Sequence, residues 1–313
     1  MSLVEVIVVI TILGLLAAIL LPATQRVREK SRQMECASQL RQIGVAFSNY
    51  HSTFNCFPPI SGHVHSRPKS IWANLLPELG LAELAAYDRL LGTDSHVEDP
   101  SSELKYPTPL MRCPSDACPI TIGSNYGVNL AGDGIRHFPE PEAKEEPLQG
   151  IGVFTTGSSY SVITDGTSNT AIASEFLRGA GSPSLPLGVR PADTTRPKSL
   201  IFNLIPGATT NSEIDELSQR CRSSDPAKSP VISDTRGQMW LSGNQRDYTY
   251  SHFDTPNGSS CEDLDTRRAK IYSASSQHSG GVNILIADGA VRFSGNDIDL
   301  KIWRSLGTRA MGD

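Results

Sequence analysis

His278 stands nine residues ahead of Asp288–Gly289 in the stretch HSGGVNILIADGAVRF. An imidazole and a carboxylate are the groups that move protons or hold metals near neutral pH. The surrounding pattern points to architecture first. Val282–Ala287 and Ala290–Phe293 are short apolar runs, and the Asp-Gly between them suits a tight turn that needs positive φ. Asp288 and Gly289 therefore read as turn residues, and His278 as a hydrogen-bonded loop residue before a Gly-Gly hinge. His63-x-His65 could bind a metal, but in a Ser/Gly/Pro-rich stretch it reads as incidental. Asp254, Asp263 and Asp265 with Asn257 form an oxygen-rich stretch that could hold Ca²⁺, yet their spacing is not that of an EF-hand. There is no Gly-x-Ser-x-Gly elbow, no P-loop and no His-Glu-x-x-His. The chain reads as non-enzymatic, with no residue assigned to catalysis or to a metal.

The six cysteines carry the remaining chemistry, and they form no zinc pattern. If the body lies outside the cytoplasm, disulfides are the better reading. Cys221 with Cys261 is the preferred pairing, because both sit in polar, loop-rich sequence. Cys113 with Cys118 is an alternative. Cys36 and Cys56 fall on or just beyond a long helix, and Cys36 may be no more than a packing residue there.

Those residues need a scaffold. At 313 residues with 38% hydrophobic and 19% charged side chains, the chain can bury a core. Gly and Pro number 26 and 21, so many turns and loops are expected. A net charge of −5 lacks the global signature of a nucleic-acid binder. The body reads as mixed α and β. Trp72–Leu91 has helical spacing interrupted near Pro77 and Gly80. Ile151–Thr155, Tyr160–Thr164 and Thr170–Leu177 read as short β-runs. Glu140–Pro147 and Gly179–Lys198 read as exposed loops.

The N-terminus is unlike the rest. Val6–Leu21 carries no charge, and from Met1 to Leu21 the only ionisable side chain is Glu5. With its flanks this run makes roughly 30 Å of helix, the width of a bilayer core. A cleavable secretory signal fits poorly, since no basic residue precedes Val6 and no small-x-small site follows. A plain anchor fits the length. However, Arg26, Arg28, Lys30 and Arg32 would then hold the body in the cytoplasm. Beyond Pro22, a kink tolerated in membrane helices, Val27, Met34, Ala37, Leu40, Ile43, Phe47, Tyr50 and Phe54 recur at helical steps. Arg26, Arg28, Glu29, Arg32, Gln33, Gln39 and Arg41 take the other sides. One helix over about residues 2–54 is expected, roughly 80 Å long, with its first half in lipid or in a bundle of like helices.

The run from Ser2 through Pro59 resembles the N-terminal block of prepilin-type, pseudopilin-like proteins: Leu-Val-Glu, an apolar run, Pro-Ala, then Leu-x-x-Ile-Gly. Together with RCPSD (Arg112–Asp116), SNYGVN (Ser124–Asn129), ITDGTSNTAIASE (Ile163–Glu175), PNGSSC (Pro256–Cys261) and the His-x9-Asp-Gly segment (278–294), the chain is similar nearly end to end to a bacterial family, domain of unknown function 1559. The resemblance implies an α+β, pilin-like fold. Residues 1–54 would be a membrane and amphipathic helix, packed on a mainly antiparallel β-sheet body at 55–313 with large loops. It implies cleavage and N-methylation at Met1 by a prepilin peptidase, with no basic leader or preceding Gly in the chain as written. Glu5 would be neutralised by the amine of a neighbouring subunit. The partners implied are that peptidase, other pilin-like subunits and the inner membrane, with the body periplasmic or carried outward in a filament. The function implied is a structural subunit of a type II secretion or type IV pilus-like assembly. The alternative is a tethered periplasmic binding or hydrolytic domain that does not polymerise.

Overall fold

The computed structural model describes residues 2–64, 67–85, 108–130, 158–181, 196–203, 214–225, 229, 231–262 and 270–310. Met1, His65, Asp263, Asp265 and the stretches expected at Ile151–Thr155 and Glu140–Pro147 lie outside the described residues. A single helix, α1 (Leu3–Phe54), runs for 52 residues and continues through Pro22. Ser2 starts it with a capping box: its hydroxyl accepts the Glu5 backbone N–H, and the Glu5 carboxylate accepts the Ser2 N–H at 2.8 Å. Asn55 ends it in the left-handed conformation, its N–H donating to the His51 carbonyl.

The body is built on sheets. Strand β1 (Ser61–Val64) pairs with β2 (Arg67–Ser70), and the short helix α2 (Ile71–Leu75) follows. The main sheet orders five strands β11-β10-β4-β3-β7, with β3 (Tyr126–Asn129), β4 (Ala171–Glu175), β7 (Thr249–Tyr250), β10 (Gly281–Ile286) and β11 (Val291–Gly295). All neighbours are antiparallel except β3 and β7. A second sheet orders β6-β5-β8-β9, from β5 (Ile201–Asn203), β6 (Val231–Ser233), β8 (Ser260–Glu262) and β9 (Lys270–Ile271), with only β5 and β8 parallel. The chain is thus α+β, a long helix on mainly antiparallel sheets. Arg236, wholly buried, ties the two sheets together: its guanidinium donates to the Ser260 hydroxyl, the Ser273 carbonyl and the Thr249 carbonyl at 3.0–3.1 Å. Helix α3 (Ile214–Arg222) carries Cys221, and α4 (Leu300–Ser305) packs Trp303 against the main sheet.

The docking face of α1 differs from the expected stripe. Cys36, Gln39, Leu40, Ile43, Gly44, Ala46 and Phe47 are buried, whereas Val27, Met34 and Phe54 are exposed. Met34 is two residues from Cys36, about 200° round the helix, and so faces away from the body. Leu40, Ile43 and Phe47 share one core with Trp72, Tyr126, Val128 and Leu285. Gly44 allows the close approach, because a Cβ there would stand 2.9 Å from Leu285 Cδ1. Tyr160–Val162, expected as strand, is a turn of 3₁₀ helix. The Tyr160 ring packs on His51 and Phe57 at the end of α1, with centroids 4.5 and 4.7 Å away, which holds this segment off the sheet. Trp72–Leu91 is helical only in α2 and a turn at 82–85, within its described part.

Candidate functional site

Two features stand apart from ordinary core. The first is the outer half of α1. From Leu3 to Leu21 its large apolar side chains are all exposed. This helix is long and apolar enough to cross a membrane, and its most apolar window makes no buried contact with the body. A contiguous exposed apolar surface of this size calls for lipid or protein to cover it.

The second is a buried polar cluster where α1 meets the body. Glu29 is two helical turns before Cys36, which puts both on one face. His278 sits between two carboxylates: Nδ1 is 2.8 Å from Glu29 Oε1 and Nε2 is 3.3 Å from Glu175 Oε1. Burial pushes the imidazole pKa down, but the Glu175 and Glu29 carboxylates outweigh that and hold it above its ordinary value. Glu175, at the end of β4, is fixed by Asn283 on β10, whose backbone N–H and side-chain amide each donate at 2.8 Å. Ser115 donates to Glu29 at 2.8 Å. Cys36 and Cys113 form a disulfide, and His278 Nε2 lies 3.5 Å from Cys113 Sγ. Gln39 extends the seam, donating to the Pro109 carbonyl and accepting the Tyr126 hydroxyl at 2.6 Å. Behind it Asp116 accepts from Asn125 and is paired with Arg178 and Arg196.

The expected residues fall as follows. His278 is 4% exposed and belongs to this cluster. Asp288 and Gly289 lie at the far end of the hairpin, where the Asp288 carboxylate accepts the Ala290 N–H and Gly289 adopts φ +87°. The nine-residue spacing thus joins a helix-docking histidine to a turn. Cys221 and Cys261 form the second disulfide. Cys113 pairs with Cys36, not with Cys118, whose thiol is free. Asp254 is engaged by the Arg222 guanidinium at 2.5 Å. Glu29 and Gln39, expected on the sides of the helix away from the apolar stripe, both turn toward the body. Glu175 and Ser115 join them, and Cys36, expected as a packing residue, is disulfide-bonded instead. The one signal available was Glu29, a lone acid among Arg26, Arg28, Lys30 and Arg32.

The sequence blocks that carry the family resemblance meet at this cluster. RCPSD supplies Cys113, Ser115 and Asp116; SNYGVN supplies Asn125 and Tyr126; the block ending at Glu175 and the segment opening at His278 complete the cluster. A family described as proteins of unknown function (DUF1559) matches residues 25–301. The chain belongs to that family. No match was found among curated proteins or among solved structures. In this chain the cluster sits inside the matched span, while the apolar half of α1, Leu3 to Leu21, precedes it.

Proposed function

We propose that this DUF1559 protein is a pseudopilin-like structural subunit of a type II secretion or type IV pilus-like assembly, without enzymatic activity. The apolar half of α1 holds it in the inner membrane, and the body faces the periplasm or is carried outward in a filament. One observation carries the reading: a single unbroken helix is locked to the body along its second half and leaves an exposed apolar first half. Such a helix exchanges lipid burial for packing against copies of itself, and Gly14, Ala17 and Ala18 give small surfaces for close approach. Within the monomer the Glu5 carboxylate completes the capping box with Ser2. In an assembly the amine of a neighbouring subunit neutralises it within apolar surroundings. A prepilin peptidase cleaves before Met1 and methylates it.

The deciding experiment is mass spectrometry of the N-terminal peptide from membranes and from sheared surface material. A methylated N-terminus at Met1, abundant in the sheared fraction, is the expected result. An unmethylated chain confined to membranes defeats the proposal. Glu5→Ala is expected to abolish incorporation into filaments while the body stays folded.

A further inference from the structure

We propose that Cys36, Cys113, Glu175 and His278 form a Zn²⁺ site that is available when the Cys36–Cys113 bond is reduced. The proposal does not rest on the pseudopilin reading. The four ligand atoms lie within 4.8 Å of one another, and all four residues are buried. Two thiolates, one imidazole nitrogen and one carboxylate oxygen are a donor set for tetrahedral zinc. Bonds of about 2.3 Å to sulfur and about 2.0 Å to nitrogen and oxygen place neighbouring ligand atoms roughly 3.3–3.8 Å apart. His278 Nε2 is already 3.5 Å from Cys113 Sγ and 3.3 Å from Glu175 Oε1. Coordination requires the two sulfurs to separate and the four ligand atoms, now within 4.8 Å of one another, to draw in to the tetrahedral spacing.

The surroundings orient the ligands as metal sites require. His278 offers Nε2 to the site while Nδ1 is held by Glu29, the carboxylate–histidine arrangement that fixes tautomer and ring orientation in zinc proteins. Asn283 holds both oxygens of Glu175. The Asn125 side chain accepts the Cys113 N–H at 3.0 Å. Soft thiolates disfavour Ca²⁺ and Mg²⁺, which take oxygen ligands. Two thiolates and Glu175 would bring three buried negative charges together, and such a set demands a cation.

The chemistry balances with a dithiol as reductant. It transfers two electrons and two protons to the Cys36–Cys113 bond and is itself oxidised to a disulfide. Zn²⁺ then displaces both thiol protons and any proton on Nε2 to solvent. A disulfide oxidant reverses the step: it takes two electrons from the thiolates, re-forms the sulfur–sulfur bond and releases Zn²⁺. Both states fasten α1 to the body, one by a covalent bond and one by coordination.

The test uses the full chain in detergent, reduced with a phosphine, desalted without oxygen, and titrated with Zn²⁺ against a chromogenic chelator and in parallel with Co²⁺. The expected result is one metal per chain, with thiolate-to-cobalt charge transfer and visible bands of tetrahedral Co²⁺, and none in the oxidised protein. No such spectrum, or the same spectrum in the Cys36→Ser/Cys113→Ser double variant, overturns the proposal. Loss of both cysteines could unfold the body, so Glu29→Gln, which keeps all four ligands, is the second variant. It should weaken Zn²⁺ about 10–100-fold. Unchanged affinity in that variant overturns the site as drawn.

Discussion

The two halves of α1 share one continuous backbone and little else. From Val6 to Leu21 the helix carries no charge on any side and, among the described residues, is not buried against the body. From Cys36 onward it is amphipathic, with one face buried in the same core as Trp72, Tyr126 and Leu285 and the other wet. A uniformly apolar helix reports that its surroundings are apolar in every direction, whereas a one-sided helix reports a surface and solvent. Between them Glu29 marks the change, since it is the first side chain of α1 that the body binds. The outer half specifies where the protein sits, and the inner half specifies what is held there.

That contrast can be broken most severely at Phe47. Phe47→Ala should cost the body about 3–5 kcal/mol, because Phe47 is fully buried against Trp72 with centroids 6.0 Å apart. The matched truncation Ile12→Ala in the outer half should leave urea unfolding of the body in detergent, followed by tryptophan fluorescence, within about 0.5 kcal/mol. Equal losses would mean that the two halves are not independent. Next in size is Cys36→Ser. It opens a link that spans 77 residues of sequence and should lower stability by roughly 2–4 kcal/mol. The urea midpoint should fall in oxidised protein and not in protein already reduced.

The smallest effect per step is a pH dependence confined to the body. His252 is wholly buried, its Nδ1–H donating to the Trp303 carbonyl and its Nε2 accepting the Tyr250 hydroxyl. Burial lowers its pKa from 6.5 to about 3. The unfolded chain therefore takes up the proton first on acidification. Stability from this group is complete above about pH 6.5 and is lost as pH falls towards 3, by at most about 1.4 kcal/mol per pH unit. His252→Gln should flatten that part of the profile, measured by urea midpoints between these limits. Helical signal from the outer half of α1 in detergent should persist while the body unfolds.

Much of the scaffold was legible because it depends on local periodicity. The charge-free Val6–Leu21 and the repeat around Leu40, Ile43 and Phe47 announce a long helix. Asp288–Gly289 between two apolar runs announces a hairpin, since Gly289 takes the positive φ that the turn needs. The polar cluster was not legible, because its members come from five separate stretches and meet only through tertiary packing. A helical wheel assigns Glu29 and Gln39 to solvent on polarity alone. It cannot see that His278, Ser115, Pro109 and Tyr126 wait opposite them. Cys36 is hidden for the same reason, as its partner Cys113 is 77 residues away in sequence and is placed by the Asn125 side chain. Tyr160 misled through its β-forming character, because its ring found the end of α1 instead of a neighbouring strand.

The position of Cys36 also sets how the molecule bears force. A pull on the outer half of α1 travels down the helix and meets Glu29 first, then the sulfur bridge, and only afterwards Leu40, Ile43 and Phe47. The bridge diverts tension into the segment around Cys113, which is anchored through Asn125 to the main sheet. The apolar seam is thereby relieved of load, and once the Glu29 contacts give way, peeling the helix further from the body requires breaking a covalent bond.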